Sequence, residues 1–293
     1  MNFVEFFVLA AIWGASFLFM RIGAPELGPI PLIALRVGIA ALVLAPILRS
    51  VVVREQFRAK AKALFILGVT NSAIPFCLLA YSTLYVGAGF DSILNATTPL
   101  WVALIALTGF QVAVGRQQIL GLLVGFGGVV ILVWETLDAD VAGVHLAIAA
   151  ALLAAVFYGF GINYSKRHLA GVQPLVVAFG SQFFAALVLM PLALFFWPTH
   201  SVTPLAWACV AALGIVCTGF AYILFFRLIE HVGSAFAASV TFLIPVFGML
   251  WGAVFLSEKI TPIMIVGCAI IVFGTALTGG KRGRAQVRPR MKL

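Results

Sequence analysis

Val86-Gly87-Ala88-Gly89-Phe90 returns as Val232-Gly233-Ser234-Ala235-Phe236, 146 positions further on. Ala40-Ala41-Leu42-Val43-Leu44-Ala45-Pro46 returns as Ala185-Ala186-Leu187-Val188-Leu189-Met190-Pro191, at a shift of 145. Thirteen residues after each valine stands a proline, Pro99 and Pro245. Gly14 matches Gly159, Pro29 matches Pro174, Gly68 matches Gly214, Gly121 matches Gly267 and Gly128 matches Gly274. The chain is one unit of about 140 residues written twice, and internal repetition constrains architecture before any local reading does.

Composition says what each unit is made of. Of 293 residues, 63% are hydrophobic and 9% charged, against about 25% charged in a soluble domain. A membrane-spanning helix needs about 20 mostly apolar residues. Ten such segments are expected: 3–21, 30–49, 62–82, 88–109, 117–134, 143–165, 173–196, 204–227, 233–256 and 261–279. Five segments per unit is an odd number, so the second unit must enter the bilayer from the opposite side. The expected fold is an all-α membrane protein of two inverted five-helix repeats, 1–138 and 139–280, followed by a basic, disordered tail, 281–293. Inverted repeats of this kind are characteristic of secondary transporters.

The charges set the orientation. With the N-terminus inside, the inner loops and tail hold 15 of the 18 basic residues: Arg49, Arg54, Arg58, Lys60, Lys62, Arg116, Lys166, Arg167, Arg227 and the six from Lys281 to Lys292. The outer loops hold Arg21 and Lys259, and the acidic Glu135, Asp138 and Asp140 fall outside. The positive-inside rule then places both termini in the cytoplasm. One missed helix would scramble this alternation, so the bias also supports the count of ten.

Several function classes are disfavoured. The net charge of +9 sits in loops and tail rather than in a basic patch interleaved with exposed aromatics, which argues against nucleic acid. Cys77, Cys209, Cys217 and Cys268 lie in apolar stretches without CxxC spacing. His145, His168, His200 and His231 lie near segment ends without metal-ligand spacing, so no metal and no cofactor is expected. The first segment carries Glu5 and is followed by Arg21, unlike a secretory signal. No His, Asp or Glu is placed to activate Ser16, Ser72 or Cys217, which argues against an intramembrane enzyme.

The first segment carries Trp13-Gly14-Ala15-Ser16-Phe17 followed by Arg21. The fourth and ninth carry Asn95-Ala96-Thr97-Thr98-Pro99 and Ser239-Val240-Thr241-Phe242-Leu243-Ile244-Pro245. The ninth ends in Ser257-Glu258-Lys259. With ten helices in two inverted units, this resembles the EamA-type branch of the drug/metabolite transporter superfamily up to about residue 279, and within it the YddG-type amino-acid exporters. The resemblance implies export of small metabolites by alternating access. Units of that family often end the fourth helix in a glutamate, as Glu258 does, but Phe110 to Arg116 has none. A structural role at the membrane surface is therefore favoured for Glu258.

Polar groups and broken helices in lipid must face protein or a wet cavity. Pro99 and Pro245 free the carbonyls of Asn95 and Thr241. These two prolines are the expected hinges, and their helices meet at a midplane site. The expected substrate-binding set is Asn95, Trp13, Ser16, Tyr81, Thr98, Trp101, Tyr158, Tyr222, Ser239 and Thr241. Against it stands the plainer reading that the prolines only bend helices and that hydroxyls satisfy the freed carbonyls. Such a cavity suits a solute with a zwitterionic end and an apolar end, a neutral or aromatic amino acid. A nucleotide-sugar or phosphorylated-metabolite carrier, or a drug exporter, is the alternative. A phosphate carrier needs several cavity cations.

Arg36 is the one basic residue inside a segment. Snorkelling outward or pairing with Asp91 is favoured over a substrate contact. Glu5, Asp91, Glu230 and Glu258 all sit near segment ends. With no acid at depth, facilitated diffusion or weakly coupled export is expected. Trp134 and Trp197 read as interface residues. Gly121, Gly125 and Gly128, with Gly267 and Gly274, allow the fifth and tenth helices to pack closely or to dimerise, internal packing being favoured. The partners expected are a small-molecule substrate and the lipid bilayer of a bacterial inner membrane; oligomeric state is not legible.

Overall fold

The computed structural model describes residues 3–109, 115–137 and 143–278, and within them all regular structure is helical, without strands. Among the described residues, nine helices are long and apolar enough to cross a membrane: α1 Phe3–Leu27, α2 Pro29–Arg49, α3 Ala61–Ser82, α4 Ala88–Thr108, α5 Arg116–Trp134, α6 Val144–His168, α7 Pro174–Phe195, α8 Pro204–Val232 and α9 Phe236–Leu256. A further apolar helix, α10 Pro262–Thr278, is shorter at 17 residues. The tail, Asp138, Asp140 and residues 110–114 lie outside the described residues.

Proline marks the starts. Pro29, Pro174, Pro204 and Pro262 open α2, α7, α8 and α10, where the missing N–H would have had no intrahelical partner anyway. Large apolar side chains cover the outside, from Leu42 to Leu194, Phe195 and Trp134. That surface is costly in water and cheap in lipid, so the molecule is an integral membrane protein.

Contacts across the bundle sort the helix ends into two groups. At one end Arg227 pairs with Glu5 at 3.1 Å, Gln173 N donates to Gln56 Oε1 and Lys60 donates to His168 O. This end also carries Arg54, Arg58 and Lys166, and is called the basic end below. At the opposite end Arg21 donates to Thr83 O, and Thr203 donates to Glu26 through both its backbone N–H and its hydroxyl.

The repeated glycines are where helices cross. A Cβ on Gly14 of α1 would strike Phe247 and Gly248 of α9, and one on Gly159 of α6 would strike Trp101 and Val102 of α4. Gly68 of α3 meets Ser181 to Ala185 of α7, and Gly214 of α8 meets Arg36 and Ile39 of α2. Each contact of one half therefore has its counterpart with the helix numbers exchanged. The fifth and tenth helices pack on each other through Gly121, Gly125 and Gly274. Asn163 of α6, which is buried, reinforces the α6–α4 crossing. Its Nδ2 donates to Val102 O and to Gly159 O, both at 2.9 Å. Replacing it with leucine removes the cross-helix bond, and thermal unfolding in detergent should show a loss of about 1 kcal/mol. An unchanged midpoint would show that the bond contributes nothing.

Among the described residues, four helices are irregular in their interior, besides the 3₁₀ turn Ala45–Arg49 that ends α2. α3 opens into a π-helical turn at Val69–Ala73, and α8 does so over nine residues, Ala212–Phe220. α4 breaks between Asn95 and Thr98, and α9 passes through a 3₁₀ stretch at Ser239–Phe242. Pro99 and Pro245 each sit at the start of the helical piece that follows the break. Hydroxyls heal the backbone there. Thr98 Oγ1 donates to Asn95 O at 2.8 Å, Ser239 Oγ to Phe236 O at 2.7 Å and Thr241 Oγ1 to Ala238 O at 2.9 Å. Water is scarce in the bilayer interior, so the chain must supply these donors itself.

Candidate functional site

The irregular helices converge with α1, α2 and α6 on a central cavity of about 160 Å³. α1 contributes Trp13, Ser16, Phe17 and Met20, and α2 contributes Arg36. α3 adds Phe76 and Leu79, α4 adds Asn95 and α6 adds Tyr158. Cys217, Thr218 and Tyr222 come from α8, and Ile244 from α9. The walls are aromatic with a few polar groups, the usual make-up of a small-molecule site. Asn95 Oδ1 is buried and has no hydrogen-bond partner among the described residues, and Ser16 Oγ, also buried, meets only the Cys217 thiol, a weak partner. Buried polar atoms are seldom left unpaired.

Arg36 is the ionised side chain in this wall. It is 4% exposed. Nε donates to Thr218 Oγ1 at 2.9 Å, one terminal nitrogen reaches only Met20 Sδ at 3.7 Å, and the guanidinium lies 3.9 Å from the centre of the Phe76 ring. Thr218 is itself held by donating to Leu213 O at 2.8 Å, across the π-helical stretch of α8. The expected snorkelling does not occur, because α2 is buried around this position by Leu32, Ile33, Val37 and Ala40, and the side chain points inward. Nor does Arg36 pair with Asp91. No acidic group is within ion-pair distance of it among the described residues.

A second cavity, of about 410 Å³, lies toward the basic end and shares Tyr222 with the first. Its lining follows the first through the repeat. Where the central cavity has Ser16, Met20, Arg36 and Leu79, the second has Gly161, Ser165, Ser181 and Phe225 at the positions 145 or 146 further on. Cys217 of the first corresponds in the same way to Asn71 of the second. The two spaces thus share several positions that correspond in the duplicated sequence, with different side chains.

The EamA-like transporter family matches the sequence twice, over residues 4–134 and 145–280. The chain belongs to the EamA-like transporter family. It is 23% identical over 276 residues to an uncharacterized transporter of Archaeoglobus fulgidus, covering 92% of this chain and 95% of that one. It is 24% identical over 287 residues to a probable terminal-alkyne amino-acid exporter of Streptantibioticus cattleyicolor, covering 95% and 94%. YoaV, an uncharacterized transporter of Bacillus subtilis, is 23% identical over 274 residues, covering 90% and 91%. A solved crystal structure superposes with a TM-score of 0.64 at 21% identity, covering 94% of both chains. The role of this EamA-family chain is transport across a membrane rather than catalysis.

Of the residues expected to bind solute, this EamA-family fold brings Trp13, Ser16, Asn95, Tyr158 and Tyr222 together around the central cavity. It places the others elsewhere. Tyr81 packs on Tyr85 with ring centres 5.3 Å apart. Trp101 stacks edge-on against Phe126 at 5.0 Å and covers Gly159. Thr98, Ser239 and Thr241 spend their hydroxyls on carbonyls of their own helices, as above. Arg36, Met20, Cys217 and Thr218 line the cavity and were not in the expected set. The sequence did carry a signal for Arg36, since its repeat counterpart is the polar Ser181, but local hydropathy pointed the other way.

Asp91 combines an end position with burial. It stands in the first turn of α4, near a segment end as expected, yet it is fully buried. Ser82 faces it, but neither carboxylate oxygen, nor Ser82 Oγ, has a partner in hydrogen-bonding geometry among the described residues. Its burial comes from protein packed around the first turn of α4, so the expectation that the acids sit near segment ends stands.

Proposed function

We propose that this protein exports small amphipathic metabolites, neutral or aromatic amino acids first among them, by alternating access around the central cavity. The observation that carries the reading is the cavity itself. It is built at the breaks in the helices, has aromatic walls, and presents the unpaired Asn95 amide oxygen to whatever enters. Ten spans arranged as inverted units, 1–138 and 139–280, with both termini cytoplasmic in a bacterial inner membrane, complete the reading. The duplicated sequence, the exchanged glycine contacts and the basic end support it. The likeness to an amino-acid exporter of Streptantibioticus cattleyicolor supports the substrate class, in line with the YddG-type resemblance.

Trp13, Ser16, Asn95, Tyr158 and Tyr222 are the proposed solute contacts, with Pro99 and Pro245 as hinges. A phosphorylated solute is disfavoured because one cation lines the cavity where a phosphate would need several.

Counterflow in proteoliposomes tests this. Vesicles loaded with single amino acids, drugs or sugar phosphates should take up labelled neutral or aromatic amino acids. Asn95→Ala should weaken uptake about tenfold, the worth of one hydrogen bond. Phe195→Ala, on the exposed outer surface, should not. Flux of a sugar phosphate with none of any amino acid would refute the substrate assignment. An imposed pH gradient in the same vesicles asks whether Asp91 couples protons.

A further inference from the structure

We infer that Arg36 is a carboxylate-binding site, so that the central cavity takes solutes bearing one carboxylate beside a hydrogen-bond donor. The inference rests on the transport reading above and names the head group that the cavity recognises.

Three observations carry it. First, the cation is buried without a counter-anion. Its guanidinium makes one hydrogen bond to oxygen, through Nε to Thr218, and the terminal nitrogens meet no oxygen among the described residues. A guanidinium is always protonated and offers five donors in a fork that matches a carboxylate. A buried charge is expensive unless paired, and an intramembrane cation calls for a partner.

Second, the fold does not need a cation here. The repeat counterpart of Arg36 is Ser181, which lines the second cavity. The α7–α3 junction in that half is made by neutral groups, with Gln182 Nε2 donating to Ser72 Oγ at 3.0 Å and to Ser181 Oγ at 3.3 Å. Ser72 is the counterpart of Thr218. The same crossing is thus closed in one half without charge and in the other with a guanidinium that lies over the Phe76 ring and lines the central cavity. The difference is a property of the site rather than of helix packing.

Third, the rest of the wall complements a small zwitterion. Asn95 Oδ1 accepts only and has no partner among the described residues, and Ser16 Oγ can accept and meets only the weakly bonding Cys217 thiol; both line the cavity with Arg36. They suit an ammonium or amide N–H. A single wall cation balances a single negative charge and falls short of a phosphate dianion. A space of about 160 Å³ is close to one that holds benzene, so the head group and a short stem fit, and a longer apolar side chain has to extend past Tyr222.

The test is binding to the purified full-length protein in detergent, by isothermal titration with the twenty standard amino acids. The best binder is then compared with its carboxamide, with its decarboxylated amine and with inorganic phosphate. The carboxamide and the amine should each bind at least about 100-fold more weakly than the acid. Arg36→Ser copies the other half and should fold, giving an unchanged unfolding midpoint with about 100-fold weaker binding of the acid. Arg36→Lys should recover part of the affinity. Equal binding of acid and amide, full affinity in Arg36→Ser, preference for phosphate, or no binding of any amino acid would each overturn the inference. The amide comparison uses the unaltered protein, so it decides even if the serine variant does not fold. Counterflow keeps the two readings apart. Flux of solutes without a carboxylate preserves transport and removes this site. Carboxylate binding without flux does the reverse.

Discussion

Gly274→Val should yield almost no folded protein, whereas Gly127→Val should express and elute like the parent. Both glycines belong to the pair α5 and α10, but they face opposite ways. A Cβ on Gly274 would lie 2.5 Å from Gly125 Cα and N and 2.8 Å from Gly121 O. These are backbone atoms, which cannot swing aside as the end of a long side chain can. The reverse contact is equally tight, since a Cβ on Gly121 would come within 2.7 Å of Gly274 O. Small residues let helices approach at this distance, and in lipid that dispersion contact is much of what joins them. A branched side chain must push α10 off α5 along the seam, at about 3 kcal/mol or more. Gly127 has nothing within 4 Å and faces outward, so its valine meets only lipid. Size-exclusion profiles of the two variants from detergent extracts compare them directly. Equal yields would mean that the seam does not hold the two helices together.

Glu258→Ala should lower the unfolding midpoint by several degrees, with Glu258→Gln in between. Gly87 precedes the first turn of α4 and has no side chain to cap it. The cap comes from the other half of the chain. Glu258 Oε1 accepts from Ala88 N at 2.8 Å, and Oε2 accepts from Gly89 N at 3.2 Å. Ser257, in the left-handed region at φ 55°, turns the chain after α9 so that this carboxylate can reach. A carboxylate on a helix N-terminus gains from charge-assisted bonds and from the helix dipole. Alanine removes both bonds and leaves two amides near the membrane surface unpaired, a loss of about 2 kcal/mol. Glutamine keeps one acceptor oxygen and forfeits the charge. A midpoint for Glu258→Ala equal to that of the parent would mean that water caps α4 as well as the carboxylate does. The structural role expected for this glutamate is the one that its contacts describe.

Much of the fold could be read from the sequence because lipid punishes irregularity. The expected segment 88–109 is α4 at Ala88–Thr108, and 204–227 is the first part of Pro204–Val232. α1 runs past the expected 21 to Leu27, because Pro25 sits inside the helix without ending it. The matched glycines were legible too, since a repeated absence of side chain has a repeated cause, here a repeated crossing.

The site was harder to read. A threonine near a proline can serve a solute or serve the carbonyl that the proline has orphaned, and both uses have the same sequence. Thr98 serves the carbonyl. Asp91 is near a segment end in sequence, but α9 and its glutamate cover the end of α4, and burial follows from that packing. For Arg36, hydropathy gives depth along one helix and says nothing of which neighbours surround it. Comparison between the halves, Arg36 against Ser181, carries the information that a single helix lacks.

Over Ala212–Phe220, α8 is wound more loosely than an α-helix. A loosely wound stretch holds rotation in reserve. Were those residues to recover the tighter i→i−4 pattern, everything beyond them would turn about the helix axis like a key in its barrel. Thr218 would let go of Leu213 O, and Arg36 would lose the oxygen that aims it. Tyr222, the residue common to both cavities, would sweep from one face of the helix to another, and Arg227 would leave Glu5. Torsion of a single helix would thus re-aim the cation, move the residue that the two spaces share and unfasten the basic end together.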